Sequence, residues 1–457
     1  MIYVLLLLLS FLFIIAYIIF DNNLFSPVVV IIEAFIFSTL CAIYNKSEWN
    51  FSLSGVTILT IVSFIVFAMI FAAFGKAIVY KKYPERGKSI NIYNNIIKVG
   101  FSKTMIIFVF GIIVCILYFK DVYTIGVNYG SSNGISDIIS NYRAAVSYGF
   151  SDDSISLFPK IGYKIITISS YIYMYIFINN FFATKTWKNI LFLFPILPFI
   201  ICTFISAGRY NLLKFAVSIL YIYYFLFLKW RNRKIIFTPK TIIKLFFSLI
   251  IVLCLFYFTK KLVGRNSSDF NLVSYVTYYS GGSIPLFDLF LKDMPEKSAI
   301  FGKETFYAII NFISKVFNID SLNYIPHKEF RSSGGIVIGN VYTFLRSYIY
   351  DFGFFGAGIL VSISSYLYSY IFYDLIYKLK RNNYDNPIDL RIVLFSYITF
   401  GFVFSFVNEE FYGSVLSVNT LIMIVFSFLI RFYLVGKKEI IYYKSRLNLQ
   451  EKMCIKD

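Results

Sequence analysis

Charge is scarce in this chain: 15% of its 457 residues are Asp, Glu, Lys or Arg, and acids are the rarer sign, 24 against 43. With 58% hydrophobic residues and a mean hydropathy of +0.72, a water-soluble globular domain is excluded, because no soluble core could hide that much apolar surface. Histidine occurs once, at His327, and the five cysteines are scattered, four of them (Cys41, Cys115, Cys202 and Cys254) inside apolar runs. Neither a disulfide framework nor a metal-ligand cluster follows from such spacing. A phosphate-binding P-loop and a dinucleotide fingerprint are missing, and no cofactor is expected. There is no run of intramembrane acids suited to a proton relay and no evident internal repeat, which weakens an inverted-repeat transporter. The formal charge of +19 does not point to nucleic acid, because the basic residues sit in connectors between apolar runs. Anionic lipid head groups are the simpler partner.

What the chain has is apolar runs near 20 residues, each long enough for a hydrocarbon layer of about 30 Å. They predict an all-α, polytopic membrane protein with about eleven spans: 2–20, 27–44, 51–74, 104–119, 161–182, 190–206, 212–228, 242–258, 352–377, 392–407 and 415–433. The first lacks the basic flank and small-residue cleavage site of a signal peptide and is expected to stay as a helix. The connectors 75–103, 183–189, 229–244 and 378–391 and the tail from 431 hold 26 Lys and Arg; the alternate connectors 45–50, 120–160, 207–211 and 408–414 hold five. The positive-inside rule then sets the N-terminus outside, the tail in the cytoplasm, and the 93-residue segment 259–351 outside as a helical cap. The domains expected are helices 1–8 over 1–258, the cap over 259–351, helices 9–11 over 352–433, and a basic tail over 434–457.

The candidate chemistry clusters in the outer connectors. Ile135, Ile138, Ile139, Tyr142 and Val146 recur at helical spacing and predict an amphipathic helix lying on the membrane. In SAGRYN, Ser206 to Asn211, a tight turn carries Arg209, which either grips a phosphate with its planar fork or merely snorkels to water. YYSGGSIPLFDLF, Tyr278 to Phe290, predicts a bend at Gly-Gly into a re-entrant or interfacial piece, and ETFYAIINFISKVF, Glu304 to Phe317, a second amphipathic one. His327 is a surface residue or a base. Arg331 to Gly356 packs glycines, tyrosines, Arg331, Arg346 and an Asp351-Phe352-Gly353 turn into 26 residues. Gly334, Gly335 and Gly339 would let backbone approach a ligand, and Asp351 would cap the helix that follows. In NEEFYG, Asn408 to Gly413, the adjacent Glu409 and Glu410 repel each other and lose water, so one is expected to hold its proton more tightly and serve as a poised base, unless the turn simply faces water. Among intramembrane charges Glu33 is the most central and expects an interior partner.

About eleven helices, SAGRYN after a middle helix, a large outer segment and GNVYTFLRSYIYDFGFFG leading back into the membrane resemble the Wzy-type oligosaccharide repeat unit polymerases, related to the O-antigen ligases. The resemblance implies a GT-C-like glycosyltransferase of the bacterial plasma membrane. Such an enzyme moves a growing glycan from undecaprenyl diphosphate onto a lipid-linked acceptor repeat unit, with a chain-length regulator as a further partner. It implies Arg209 and Arg346 as diphosphate clamps, Arg265 and Arg331 as helpers, and Tyr210 and Asp351 beside the substrate. Glu409 or Glu410 would be the base, with His327 in reserve. A lipid-linked oligosaccharide flippase and an O-antigen-type ligase are the alternatives.

Overall fold

The computed structural model describes residues 1–83, 96–130, 134–148, 154–184, 187–231, 271–324, 327–380 and 387–454. Among them, eight helices are long and apolar enough to cross a membrane: Ile2–Ile19, Pro27–Tyr44, Gly55–Lys82, Phe101–Tyr129, Leu157–Thr184, Arg209–Trp230, Leu345–Leu379 and Val418–Gly436. The chain is therefore a polytopic, mainly helical membrane protein. Two further expected spans are shorter and broken. Residues 187–205 form a 3-10 turn, Trp187–Leu193, then a helix, Ile196–Ile205, because Pro195 has no N–H to continue the first into the second. Leu390–Ile398 and Phe400–Val403 replace the span expected over 392–407. The span expected over 242–258 lies outside the described residues.

The chain divides into two compact units. One contains Met1–Glu85, Ser267–Asp374 and Ile398–Thr420; the other contains Arg86–Asn266, Leu375–Tyr397 and Leu421–Asp457.

Close backbone approach organises the first unit. A Cβ on Gly75 would lie 2.7 Å from the Tyr366 carbonyl, and the Ser369 hydroxyl donates to the Ala72 carbonyl at 2.7 Å, so Gly55–Lys82 and Leu345–Lys380 meet backbone to backbone. Small residues at such crossings replace the hydrophobic drive that lipid removes. The segment expected to form the cap, 259–351, docks by the same means over its described part. Gly281 closes the helix Leu272–Gly281 with its Cα against the Cys41 and Ala42 backbone, and Ser38 donates to the Ser280 carbonyl at 2.7 Å. The helix ends where the Gly-Gly pair is expected to interrupt it, and Ser283–Lys292 starts after Gly282. Asp288 on that helix accepts from the Ser54 amide (2.8 Å) and the Thr57 hydroxyl (2.6 Å), at the N-terminus of Gly55–Lys82. Burial works against the Asp288 carboxylate, but Lys292, Thr57 and Ser54 outweigh it and hold its pKa below the ordinary value.

Three expectations are corrected here. Gly334 and Gly335, offered above to a ligand, have φ of 58° and 79° and turn a two-stranded hairpin, Arg331–Ser333 with Ile336–Gly339. A two-residue hairpin loop of the I′ kind requires both central residues at positive φ. Asp351 does not cap the following helix: its carboxylate accepts from the Glu304 (3.1 Å) and Thr305 (2.7 Å) amides and ties down a cap loop. The helix that carries it starts early, at Leu345, and breaks at Gly353.

In the second unit, the helix over 135–148 does not spread its apolar face on the membrane. Ile139, Tyr142 and Ala145 are buried against Val122 and Ile125 of Phe101–Tyr129, which runs ten residues past its expected end, and Ile138 is buried too, while Ile135 and Val146 at the two ends of the stripe stay exposed. A Cβ on Gly126 would collide with the Ile138 carbonyl, so glycine is what lets the two helices touch.

Gly353 has φ 67° and ψ −174°, and a Cβ there would meet nothing within 4 Å. Gly353→Ala is therefore a test of backbone strain alone. It should destabilise the protein by about 1–3 kcal/mol in thermal unfolding in detergent; an unchanged midpoint would contradict a fixed break at this residue.

Candidate functional site

Charged side chains gather in the first unit where the cap meets the helix ends. Arg346, one residue into its helix, is buried, and its guanidinium pairs with two carboxylates, Glu304 and Glu329 (2.5 Å to the latter). Phe290, Tyr342 and Tyr350 place their ring centroids 5.0, 4.9 and 5.3 Å from its central carbon. Desolvated cation–π contacts of this kind add to the pairing. Glu329 also accepts from the Tyr342 hydroxyl and from Arg331 Nε, both at 3.2 Å. Burial would raise the Glu329 pKa, but Arg346, Arg331 and Tyr342 reverse that and leave it lowered.

Lys328 extends the network toward the last turn. Its Nζ donates to Asn408 Oδ1 at 3.1 Å. Burial lowers its pKa from 10.5 to about 8, with Arg346 pushing the same way and Glu304, Glu409 and Glu329 opposing. The lysine thus sits in electrostatic reach of both the Arg346 pair and Glu409.

Glu409 is buried at the start of a π-helical turn, Phe411–Val415. Its Oε1 accepts from the Tyr348 hydroxyl (2.9 Å) and the Tyr412 amide (2.7 Å), and its Oε2 from the Gly413 amide (2.7 Å). Desolvation still dominates and lifts its pKa from 4.5 to about 7, aided by Glu410. The rise expected for one acid of this pair falls on Glu409. Both acids line a small cavity among Tyr348, Tyr368, Ser364, Ser365 and Ser405. The Ser405 hydroxyl is buried without a hydrogen-bond partner among the described residues. No group of three or more potential metal ligands occurs among the described residues.

Of the residues singled out from sequence, Arg346, Glu409 and Glu410 belong to this network. Arg331 is near it but fully engaged, donating to the carbonyls of Leu289 (2.9 Å) and Asp293 (2.5 Å) as well as to Glu329. It clamps the hairpin to the helix Ser283–Lys292 and is not available as a helper for a ligand. His327 is exposed against Phe330, 5.5 Å between rings, while its neighbour Lys328 takes the inward place. Arg265 lies outside the described residues.

Arg209 and Tyr210 are in the second unit. Arg209 opens the helix Arg209–Arg231 and is buried, not displayed at the tip of the turn, so the snorkelling alternative does not describe it. Ala207 takes a left-handed φ of 54° to make the turn, and Lys214 Nζ stands 4.5 Å over the Tyr210 ring. Asn211 donates to the Tyr163 hydroxyl at 3.2 Å.

Sequence reasoning missed Glu304, Glu329, Lys328 and Tyr348. The first three are charges of alternating sign in a segment of mixed composition, and their local sequence does not say which of them will be enclosed. Comparison with protein-family models, with curated proteins and with solved structures finds no match.

Removing one partner of a buried ion pair leaves an uncompensated charge and costs about 3–5 kcal/mol. Arg346→Ala should therefore lower stability by that order in chemical denaturation in detergent. A loss below about 1 kcal/mol would mean that the Glu304 and Glu329 pairing contributes little.

Proposed function

We propose that this protein is a glycosyltransferase of the bacterial plasma membrane that joins lipid-diphosphate-linked oligosaccharide repeat units into surface polysaccharide on the outer face. The observation that carries the reading is Glu409: a buried carboxylate that titrates at about 7, beside Lys328, where a cap meets membrane helices. A general base poised near the working pH couples the right protonation state to a usable driving force.

In this reaction an acceptor sugar hydroxyl attacks the anomeric carbon of the donor glycan. The new glycosidic bond forms as the bond to the lipid diphosphate breaks, and the hydroxyl proton passes to Glu409. Among the described residues Oε2 accepts the Gly413 amide alone, which leaves it a lone pair for that proton. One displacement inverts the anomeric centre, by analogy with inverting glycosidases. The departing diphosphate gains negative charge and needs fixed cations. Lys328, which Glu409 influences electrostatically, is the cation this scheme draws on in the first unit, and Arg209 is proposed as a diphosphate-binding residue of the second unit in its own right. Arg346 is paired with Glu304 and Glu329 and acts as a positioning residue that holds the Lys328–Glu329 segment.

The pH behaviour follows from the raised acid. Below about 7 the folded protein keeps the Glu409 proton, so activity should climb as pH rises toward 7 and level above it. Stability runs the other way. The folded state binds a proton that the unfolded chain has already released above its ordinary 4.5, so stability falls as pH rises from there through about 7. Glu409→Gln should abolish polymer and flatten that fall in stability. Polymer of normal length from Glu409→Gln would reject the base assignment.

Arg209→Lys keeps the charge but loses the fork, and should leave protein in the membrane with long polymer lost. Loss of a comparable charge-stabilising donor costs about 2.7–4 kcal/mol of transition-state energy. Reconstitution with lipid-linked substrate already on the outer face tests the reaction class. Longer glycans require an enzyme, unchanged substrate points to a flippase, and transfer to a different acceptor points to the ligase.

A further inference from the structure

The cap helix Tyr307–Phe317 wears its apolar stripe on the outside. Ile309, Phe312, Ile313, Val316 and Phe317 recur at i, i+3, i+4, i+7 and i+8, the spacing that normally faces a core. All five are exposed, up to 67% at Phe317, whereas Ile310 and Ser314, on another face, are 8% and 5% exposed. The helix is held firmly in that pose. Asn311 donates to the Tyr324 carbonyl at 2.7 Å and accepts the Tyr324 amide at 2.8 Å, and the Tyr307 hydroxyl meets that of Ser414 at 3.1 Å.

The neighbouring surface says what covers the stripe. Phe306, the residue before the helix, packs on Phe352 with rings 5.8 Å apart, and Phe301 packs on the same ring at 4.9 Å. Phe352 stands at the Gly353 break, where the helix running to Lys380 begins with exposed Phe354 and Phe355. The stripe is thus continuous with the apolar surface of a membrane-crossing helix, at the end where that helix emerges. Lys315 is exposed on the polar side of the same cap helix, suited to anionic head groups.

We propose that Tyr307–Phe317 lies in the plane of the membrane interface, with the stripe among the acyl chains of the bilayer that the protein spans. An amphipathic helix lying in the interface buries its apolar face at the head-group and acyl boundary. The inference rests on the membrane-crossing helices and not on the glycosyltransferase reading. If that reading also holds, the helix joins the lipid surface to the Glu409 turn through Tyr307, whose ring lies against Gly413.

The test uses the full chain in nanodiscs of phosphatidylethanolamine and phosphatidylglycerol. With the five native cysteines replaced, Phe312→Cys, Phe317→Cys and Lys315→Cys carry a nitroxide. Collision rates with oxygen and with a water-soluble nickel chelate are then read by electron paramagnetic resonance. Labels at 312 and 317 should favour oxygen and the label at 315 the nickel chelate. Nickel access at all three would overturn the proposal, as would spin–spin broadening at 317 that disappears on dilution with unlabelled protein, which would signify contact with a second copy. Phe317→Trp with the native cysteines kept is the independent check. It should add emission quenched by brominated acyl chains, and quenching by aqueous acrylamide instead would overturn the assignment.

Discussion

A guanidinium removed from water must find its counter-charge inside the protein, and Arg346 finds two. Glu304 comes from a loop of the cap, Glu329 from an extended segment, and Arg346 from the helix that re-enters the membrane. These three pieces meet only when the cap has folded, so the pairing acts as a register mark for the unit. Asp351 repeats the constraint little more than one turn along the same helix by accepting the Glu304 and Thr305 amides. The placement of Lys328 follows, because Glu329 is its neighbour in sequence and is fixed by Arg346. A buried ion pair is weak evidence for net stability, since desolvation offsets much of its attraction. Its value here is in specifying position.

The helices obey a different rule. Lipid tails solvate leucine as well as another helix does, so side-chain hydrophobicity does not hold membrane helices together. The contacts that do are close ones. Gly75 against Tyr366, Gly281 against Cys41, and Gly126 against Ile138 each leave no room for a Cβ, and Ser38 and Ser369 add hydrogen bonds to facing carbonyls. Asp288 then joins cap to membrane helix electrostatically, its charge at the N-terminus of Gly55–Lys82 accepting the Ser54 amide and the Thr57 hydroxyl and complementing the helix dipole.

Glu409 shows how the two rules combine. Three donors would ordinarily drive a carboxylate pKa down, yet burial between a π-helical turn and Tyr348 lifts it to about 7. The same group is therefore rigidly held and nearly balanced between charge states. Such a balance is what acid–base chemistry uses, and it exists only because the turn is enclosed.

By itself the sequence determined the membrane class, the approximate positions of the eight long helices among the described residues, the helix break at Gly281–Gly282, and the adjacency of two acids at Glu409 and Glu410. Those features depend on hydropathy, helical period and local backbone freedom, all of which are properties of contiguous residues. Tertiary structure decided the rest. The Arg346 triad and the diversion of Asp351 and Arg331 to internal partners join separate segments of the chain, while the hairpin at Gly334 and Gly335 and the docking of the 135–148 helix on the helix before it depend on what those near neighbours pack against. Burial and pairing are properties of what surrounds a side chain, and no local pattern carries that information.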